Sequence, residues 1–289
     1  MRLDHAAIRV SDIERAVAWY REVLGLVETG RGDGSVHLGC GEGTDLALVA
    51  GGVGLDHFAY AVGSGEELAG VRRQLHRAGL EARETVHDPE PDVTAAVDVS
   101  LPSGHLLQLV MPRSSPTYLH PSERTPSAAH APLDVDHVNL AARDPNGLAM
   151  ILTTHLAFRL SDVHRMEDGS VVGVWLRQGE RHHDFAALAH RRDALHHVAF
   201  SLASATAMLE FADRLAARGQ HAEYGIGRHG PGANLFLYLR DPDGNRVEVT
   251  AEMALVPETA PTRIWVGKDP YIIDVWAPYA PPKEFWEVT

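Results

Sequence analysis

One eight-residue phrase is written four times along the chain: LDHAAIRV at 3–10, LDHFAYAV at 55–62, VDHVNLAA at 135–142 and LHHVAFSL at 195–202. Each reads as a strand with at least one buried face. Each is followed by the start of a helix. Ser11 to Glu14 and Ser64 to Glu67 have the spacing of capping boxes, Asp144–Pro145 offers a cap with proline in the first turn, and Ser204 opens the last helix. Gly25, Gly79 and Gly219 close three of these helices. Short strands are predicted near 36–39, 45–49, 94–100, 105–110, 171–177 and 183–189. A supersecondary unit written four times has to be read as a repeat before any single motif within it.

The repeat has a second level. An offset of 140 residues carries His57 to His197 and Gln108 to Glu248, and one of 132 carries His5 to His137, so the halves agree apart from a short length change. The expected fold is α+β: tandem βαβββ modules forming two pseudo-symmetric domains, each a strongly curved, mostly antiparallel sheet with helices on its outer face. The boundaries read as 1–111 for the first domain and 133–253 for the second. Between them, 112–132 carries five prolines and reads as a linker or extended strap. The Pro- and Trp-rich tail, 254–289, cannot be a long helix. It reads as a strap of aromatic anchors or as a lid over a cavity in the second domain.

Composition narrows the function classes. A net charge of −13 argues against a nucleic-acid or anionic-membrane partner. No apolar run approaches the ~18 residues of a membrane span, and the opening MRLDHAAIRV reads as a strand and not a signal peptide, so a cytoplasmic protein is expected. The single cysteine, Cys40, excludes an intramolecular disulfide and any cysteine-rich zinc site. Histidine is unusually frequent, at 18 residues.

His137, His197 and Glu248 occupy matched places in the repeat, on strands that a curved sheet can aim into one cavity. Two imidazoles and a carboxylate with open coordination positions are the set favoured by non-haem Fe(II) oxygenases, and zinc can use the same ligands. Any one of these residues alone is an ordinary strand position; their equivalence across the repeat makes them a set. In the first half the corresponding residues are His5, His57 and Gln108. Without the anionic ligand that half is expected to be metal-free.

The run from His229 through Leu237–Tyr238 and Asp241–Pro242–Asp243–Gly244 to Glu248, with DHVNL at the first ligand and LHHVAF at the second, resembles the signature of the type I extradiol ring-cleavage dioxygenases, catechol 2,3-dioxygenases among them. These belong to the vicinal oxygen chelate superfamily, whose fold is glyoxalase-like. The stretch from Trp175 to His183–Asp184, with RHG and YLRDPDG, is similar to homoprotocatechuate 2,3-dioxygenases in particular. The resemblance implies Fe(2+), with Mn(2+) as the other metal, and a catechol and O2 as substrates. The ring would open beside the diol to give a semialdehyde-type muconate, as in aromatic-compound catabolism. It implies that His183 stabilises oxygen and shuttles a proton, while His182 alternates to the other strand face. It also implies that His229 and Tyr238 hydrogen-bond the substrate oxygens, and that Trp175 lines the pocket. A homo-oligomer is expected.

One departure stands out. Where the homoprotocatechuate enzymes have an arginine for the substrate carboxylate, five residues before the loop histidine, this chain has Tyr224, and Arg228 is only nearby in sequence. Trp175, Tyr224 and Arg228 are therefore the candidate substrate contacts, with a carboxylate-bearing catechol in question. The competing functions are a hydroquinone-cleaving dioxygenase with the same triad, a glyoxalase-like lyase or isomerase, and a non-catalytic small-molecule-binding protein. A second carboxylate ligand is missing for the lyase, and a binding module has no need of His183, His229 and Tyr238.

Overall fold

The computed structural model describes residues 1–41, 43–85, 93–113, 131–277 and 279–289, so nearly all of the expected linker lies outside the described residues. The chain forms two compact units, Met1–Val135 and Asp136–Thr289. The first contains β1 (Arg2–Val10), α1 (Ile13–Trp19), β2 (Val27–Gly32), β3 (Ser35–Gly39), β4 (Leu46–Ala50), β5 (Gly54–Ala61), α2 (Gly65–Arg77), β6 (Glu81–Glu84), β7 (Val93–Ser100) and β8 (Leu106–Pro112). This is βαβββ written twice. Its strands join one sheet in the order β2-β3-β4-β1-β5-β8-β7-β6.

The second unit repeats the plan with β9 (Asp134–Ala142), α3 (Pro145–His155), β10 (Arg159–Arg165), β11 (Val171–Arg177), β12 (Phe185–Ala189), β13 (Ala194–Ser201), α4 (Ala205–Ala217), β14 (Tyr224–Arg228), β15 (Leu235–Arg240) and β16 (Arg246–Ala251). The sequence reading contains no strand in the tail, yet β17 (Arg263–Val266) pairs in parallel with β10 at the sheet edge. The order is β14-β15-β16-β13-β9-β12-β11-β10-β17. Within it β12 runs parallel to β9, and β16 runs parallel to β13.

The helix starts follow local chemistry. Ser64 accepts from Glu67 N–H, Asp144 from Gly147 N–H ahead of Pro145, and Ser204 from Ala207 N–H. The first helix departs from expectation. Asp12, not Ser11, is the cap, accepting from Arg15 N–H, while the Ser11 hydroxyl accepts from the Arg15 guanidinium. The carboxylate is the stronger acceptor for an orphan N–H. That helix ends in a π turn over Tyr20–Leu24, and Gly25 closes it at φ 82°. Each helix lays an apolar stripe on its sheet; in α4 it is Met208, Phe211 and Leu215. Burying each such side chain stabilises the unit by roughly 1.5–3 kcal/mol. No helix among the described residues is long and apolar enough to cross a membrane.

The four central strands of the second sheet are β16, β13, β9 and β12. They are buried along nearly their whole length, on both faces, and this is where the candidate site residues lie.

Candidate metal centre and cavity

His137 on β9, His197 on β13 and Glu248 on β16 converge. Their exposures are 2%, 2% and 0%. The two Nε2 atoms are 3.0 Å apart, and Glu248 Oε2 lies 3.3 Å from His137 Nε2 and 3.0 Å from His197 Nε2. Donor atoms about 2.1 Å from one ion and about 90° apart are separated by about 3.0 Å, so this spacing suits one face of a coordination sphere. Glu248 Oε2 is buried with no hydrogen-bond partner. An orphaned carboxylate oxygen facing two imidazole nitrogens fits a divalent cation. Among the described residues this is the one cluster of His, Cys, Asp or Glu side chains with converging ligand atoms.

Each ligand is held from behind. Asp136 Oδ2 is 2.8 Å from His137 Nδ1, and Arg181 donates to the other Asp136 oxygen at 2.9 Å. His196 Nδ1 is 2.7 Å from His197 Nδ1. Asn234 donates from Nδ2 to Glu248 Oε1 at 3.2 Å and to Thr250 Oγ1 at 2.8 Å. The electrostatics follow from burial and partners. Burial opposes charge on His137, but Glu248 and Asp136 outweigh it and raise its pKa to about 9. Burial wins at His197, which falls to about 4. At Glu248 burial is outweighed by His137 and His197, so the carboxyl is held well below its usual range.

Three further side chains bear on the triad. His183 lies tilted against His137 with 4.4 Å between ring centroids, and burial, then His137, pushes its pKa well below the usual value. His182 hydrogen-bonds His183 Nδ1 but sends its Nε2 to Asp162 Oδ1, 3.0 Å away. Tyr238 pairs with Glu248 across the β15–β16 ladder, and its hydroxyl is 2.9 Å from His229 Nε2. His229 Nδ1 donates to the carbonyl of Ile273 at 2.6 Å and its ring lies on Phe236. Burial lowers the His229 pKa and, aided by Glu248, raises that of Tyr238 well above 10.

A cavity of ≈ 520 Å³ opens on His197, His229 and Tyr238 of this cluster, within the range of roughly 300–1,000 Å³ usual for small-molecule sites. The sheet supplies Asn139, Trp175, Leu188, His196, His197 and Tyr238; the tail supplies Ile272, Ile273, Tyr279, Phe285 and Trp286. Its walls are mainly apolar.

The profile of the glyoxalase/bleomycin resistance protein/dioxygenase superfamily matches residues 2–109 and 134–249. The chain belongs to this superfamily. Within it, the chain is 27% identical over 264 residues to a manganese-dependent 2,3-dihydroxybiphenyl 1,2-dioxygenase of Geobacillus genomosp. 3, covering 86% of this chain and 84% of that one. It is 27% identical over 261 residues to a metapyrocatechase of Pseudomonas sp. (strain CF600), covering 86% and 85%. Among solved structures it is similar to the 2,3-dioxygenase LapB from Pseudomonas sp. KL28, with a TM-score of 0.83, 28% identity and coverage of 92% and 96%. It is also similar to homoprotocatechuate 2,3-dioxygenase from Arthrobacter globiformis, with a TM-score of 0.88, 25% identity and coverage of 100% and 91%. The α+β fold with curved sheets is that of the superfamily.

Of the three candidate substrate contacts, this superfamily member brings only Trp175 to the cavity. The indole lies along β11 over Gly173, where a Cβ would stand 2.9 Å from the ring. Arg228 and Tyr224 do not line the cavity. The Arg228 guanidinium is taken by Glu252 and the carbonyl of Ala233, and lies over the Trp276 ring. Tyr224 sits behind Tyr238, parallel to it at 6.4 Å and in edge contact with Phe285. Both residues belong to the short edge strand β14, whose side chains meet the tail and not the open space.

Sequence reasoning missed Asn234, His196, Asn139 and Phe285. His196 had a visible signal, because it stands where the other three phrases have Asp4, Asp56 and Asp136. Phe285 had none. It reaches His196 and Tyr238 because Arg246 and Arg240 bind the carbonyl of Glu284, and Arg240 also that of Glu287. Gly230 N–H donates to Ile272, and a Cβ at Gly230 would stand 2.5 Å from the Tyr271 carbonyl, so that glycine lets the tail close on the His229 loop.

Proposed function

We propose that this protein is an extradiol-type dioxygenase that opens a catechol ring beside its diol, incorporating O2, with Fe(2+) or Mn(2+) held by His137, His197 and Glu248. The observation that carries the reading is that His229 and Tyr238 line an apolar cavity beside that triad while His183 lies against His137. The manganese-dependent and metapyrocatechase relatives support both the reaction class and the range of metals.

A divalent ion held by these three residues would supply Lewis acidity toward the diol and a path for electrons to O2. The chain's own groups supply the rest. His229 is a neutral imidazole whose Nδ1 proton is committed to Ile273, so Nε2 is the atom that accepts a proton from the diol. Tyr238, already hydrogen-bonded to that nitrogen, orients the same substrate oxygen. His183, kept uncharged by burial, holds or returns a proton on the side of His137. Such groups each contribute typically ~10²–10⁴-fold. The aromatic and aliphatic walls keep water from the opening ring, and Trp175 bounds the space for ring substituents.

The test is oxygen uptake and yellow-product formation by anaerobically purified protein loaded with Fe(2+) or Mn(2+), offered a panel of catechols and hydroquinones. Uptake with catechols is expected. A metal-loaded protein that consumes oxygen with none of them overturns the proposal, and uptake with hydroquinones alone moves it to the para-diol reaction.

A further inference from the structure

The residue ahead of the site histidine differs in one of the four repeat units, and the structure shows what that residue does in all four. Asp4 Oδ2 stands 3.0 Å from His5 Nδ1, Asp56 Oδ2 2.9 Å from His57 Nδ1, and Asp136 Oδ2 2.8 Å from His137 Nδ1. In the fourth, His196 Nδ1 stands 2.7 Å from His197 Nδ1. The backbone position and the nitrogen addressed are the same. The charge of the partner is not.

His197 turns Nε2 into the metal triad, and an imidazole that ligates through Nε2 carries its proton on Nδ1, so His196 Nδ1 is the acceptor. An imidazole accepting through Nδ1 carries its own single proton on Nε2 and is uncharged. The His196 side chain is 3% exposed and its Nε2 has no partner. Phe285 packs edge-on against it at 5.0 Å, and Arg246 Nη1 donates to its carbonyl. Its orientation is therefore fixed by packing and by its bond to His197.

A carboxylate behind a ligating imidazole draws on the Nδ1 proton and makes Nε2 the stronger electron donor; a neutral acceptor does so far less. We propose that His196 is a positioning residue that makes His197 the weaker of the two imidazole donors, holding a bound redox metal at a higher M(III)/M(II) potential than the aspartate found at the other three positions would. The consequence is a centre biased toward its divalent form. This inference rests on the metal-binding reading above.

The test uses the full chain as wild type, His196→Asp and His196→Asn. Fe(2+) and Mn(2+) dissociation constants are read by competition with a chromophoric chelator, and the Fe(III)/Fe(II) midpoint by mediated titration. Partners of ligating histidines typically change metal affinity ~10–100-fold. His196→Asp is expected to bind more tightly by that order and to move the midpoint negative, by about 59 mV for each tenfold gain in ferric over ferrous binding. His196→Asn, with a neutral acceptor, is expected to stay close to wild type. Equal values for His196→Asp and wild type overturn the proposal, as does an equal shift in His196→Asn, which would make the effect steric. If His196→Asp does not fold, Asp136→Asn supplies the converse, a positive shift, and no shift there overturns the proposal equally. A wild type that binds no ion fails the metal reading itself, a distinct result.

Discussion

His229 Nδ1 and the carbonyl of Ile273, 2.6 Å apart, join the loop before β15 to the tail and decide which nitrogen of the histidine is available. A carbonyl only accepts, so the proton is pinned on Nδ1 and Nε2 is left to meet the Tyr238 hydroxyl. The tail thus does more than roof the cavity.

Replacing His229 by Gln is expected to lower kcat with a catechol by ~10²–10⁴-fold while leaving the metal content unchanged. Steady-state oxygen uptake together with metal analysis checks both halves of that statement. Loss of metal in the variant would make His229 a support of the triad and not a proton acceptor.

Asn234 acts on Glu248 from behind. Asn234→Ala removes its donation to Oε1 and leaves that buried oxygen without its hydrogen bond. Metal affinity is expected to fall ~10–100-fold, read by chelator competition. An unaltered dissociation constant would mean that the β15–β16 ladder alone fixes the carboxylate.

In the first unit His5 Nε2 and His57 Nε2 are 3.1 Å apart, and the Gln108 amide donates to Asp98 at 3.0 Å. A neutral amide offers no charge to balance a dication. Metal analysis is expected to return one ion per chain. Exchanging the pair, with Gln108→Glu and Asp98→Asn, keeps an amide–carboxylate bond and restores an anion beside the histidines, and a second ion is expected. Two tightly held ions in the unaltered protein would contradict this.

Asp45, buried in the first unit, gives a pH dependence of stability. Burial raises its pKa from 3.8 to about 6 despite donation from the backbone N–H groups of Cys40 and Val135. The folded state therefore holds this proton more tightly than the unfolded chain does. The stability involved is fully present below about pH 4 and is lost as pH rises through about 6. The difference amounts to about 3 kcal/mol. Urea unfolding between pH 4 and 7 is expected to show this downward component in the wild type and not in Asp45→Asn. Parallel profiles would place the proton elsewhere.

What was legible in the sequence was what the repeat wrote more than once. His137, His197 and Glu248 could be picked out because each has a counterpart in the first half, and the phrases gave β1, β5, β9 and β13. The strands that escaped are those without a strand pattern of their own. β10 (RLSDVHR) is half polar, yet Ser161 and Asp162 are buried because Arg177, His182 and the Trp265 indole satisfy them. β14 (YGIGR) is glycine-rich because Phe236 and Asp274 occupy the space where a Gly227 side chain would stand. β17 lies among prolines and is a strand only because β10 offers it an edge. Tyr224 and Arg228 misled for a related reason. Adjacency in sequence to His229 says nothing about which side of an edge strand the tail will cover.

The ligand set divides unevenly over the second sheet. His137 and His183 come from one βαβββ unit, whereas His197, His229, Tyr238 and Glu248 come from the next. Neither unit alone holds a complete set of ligands. The centre therefore exists only while β9 and β13 lie side by side, and a change that parts those two strands would dismantle it without touching any of its side chains.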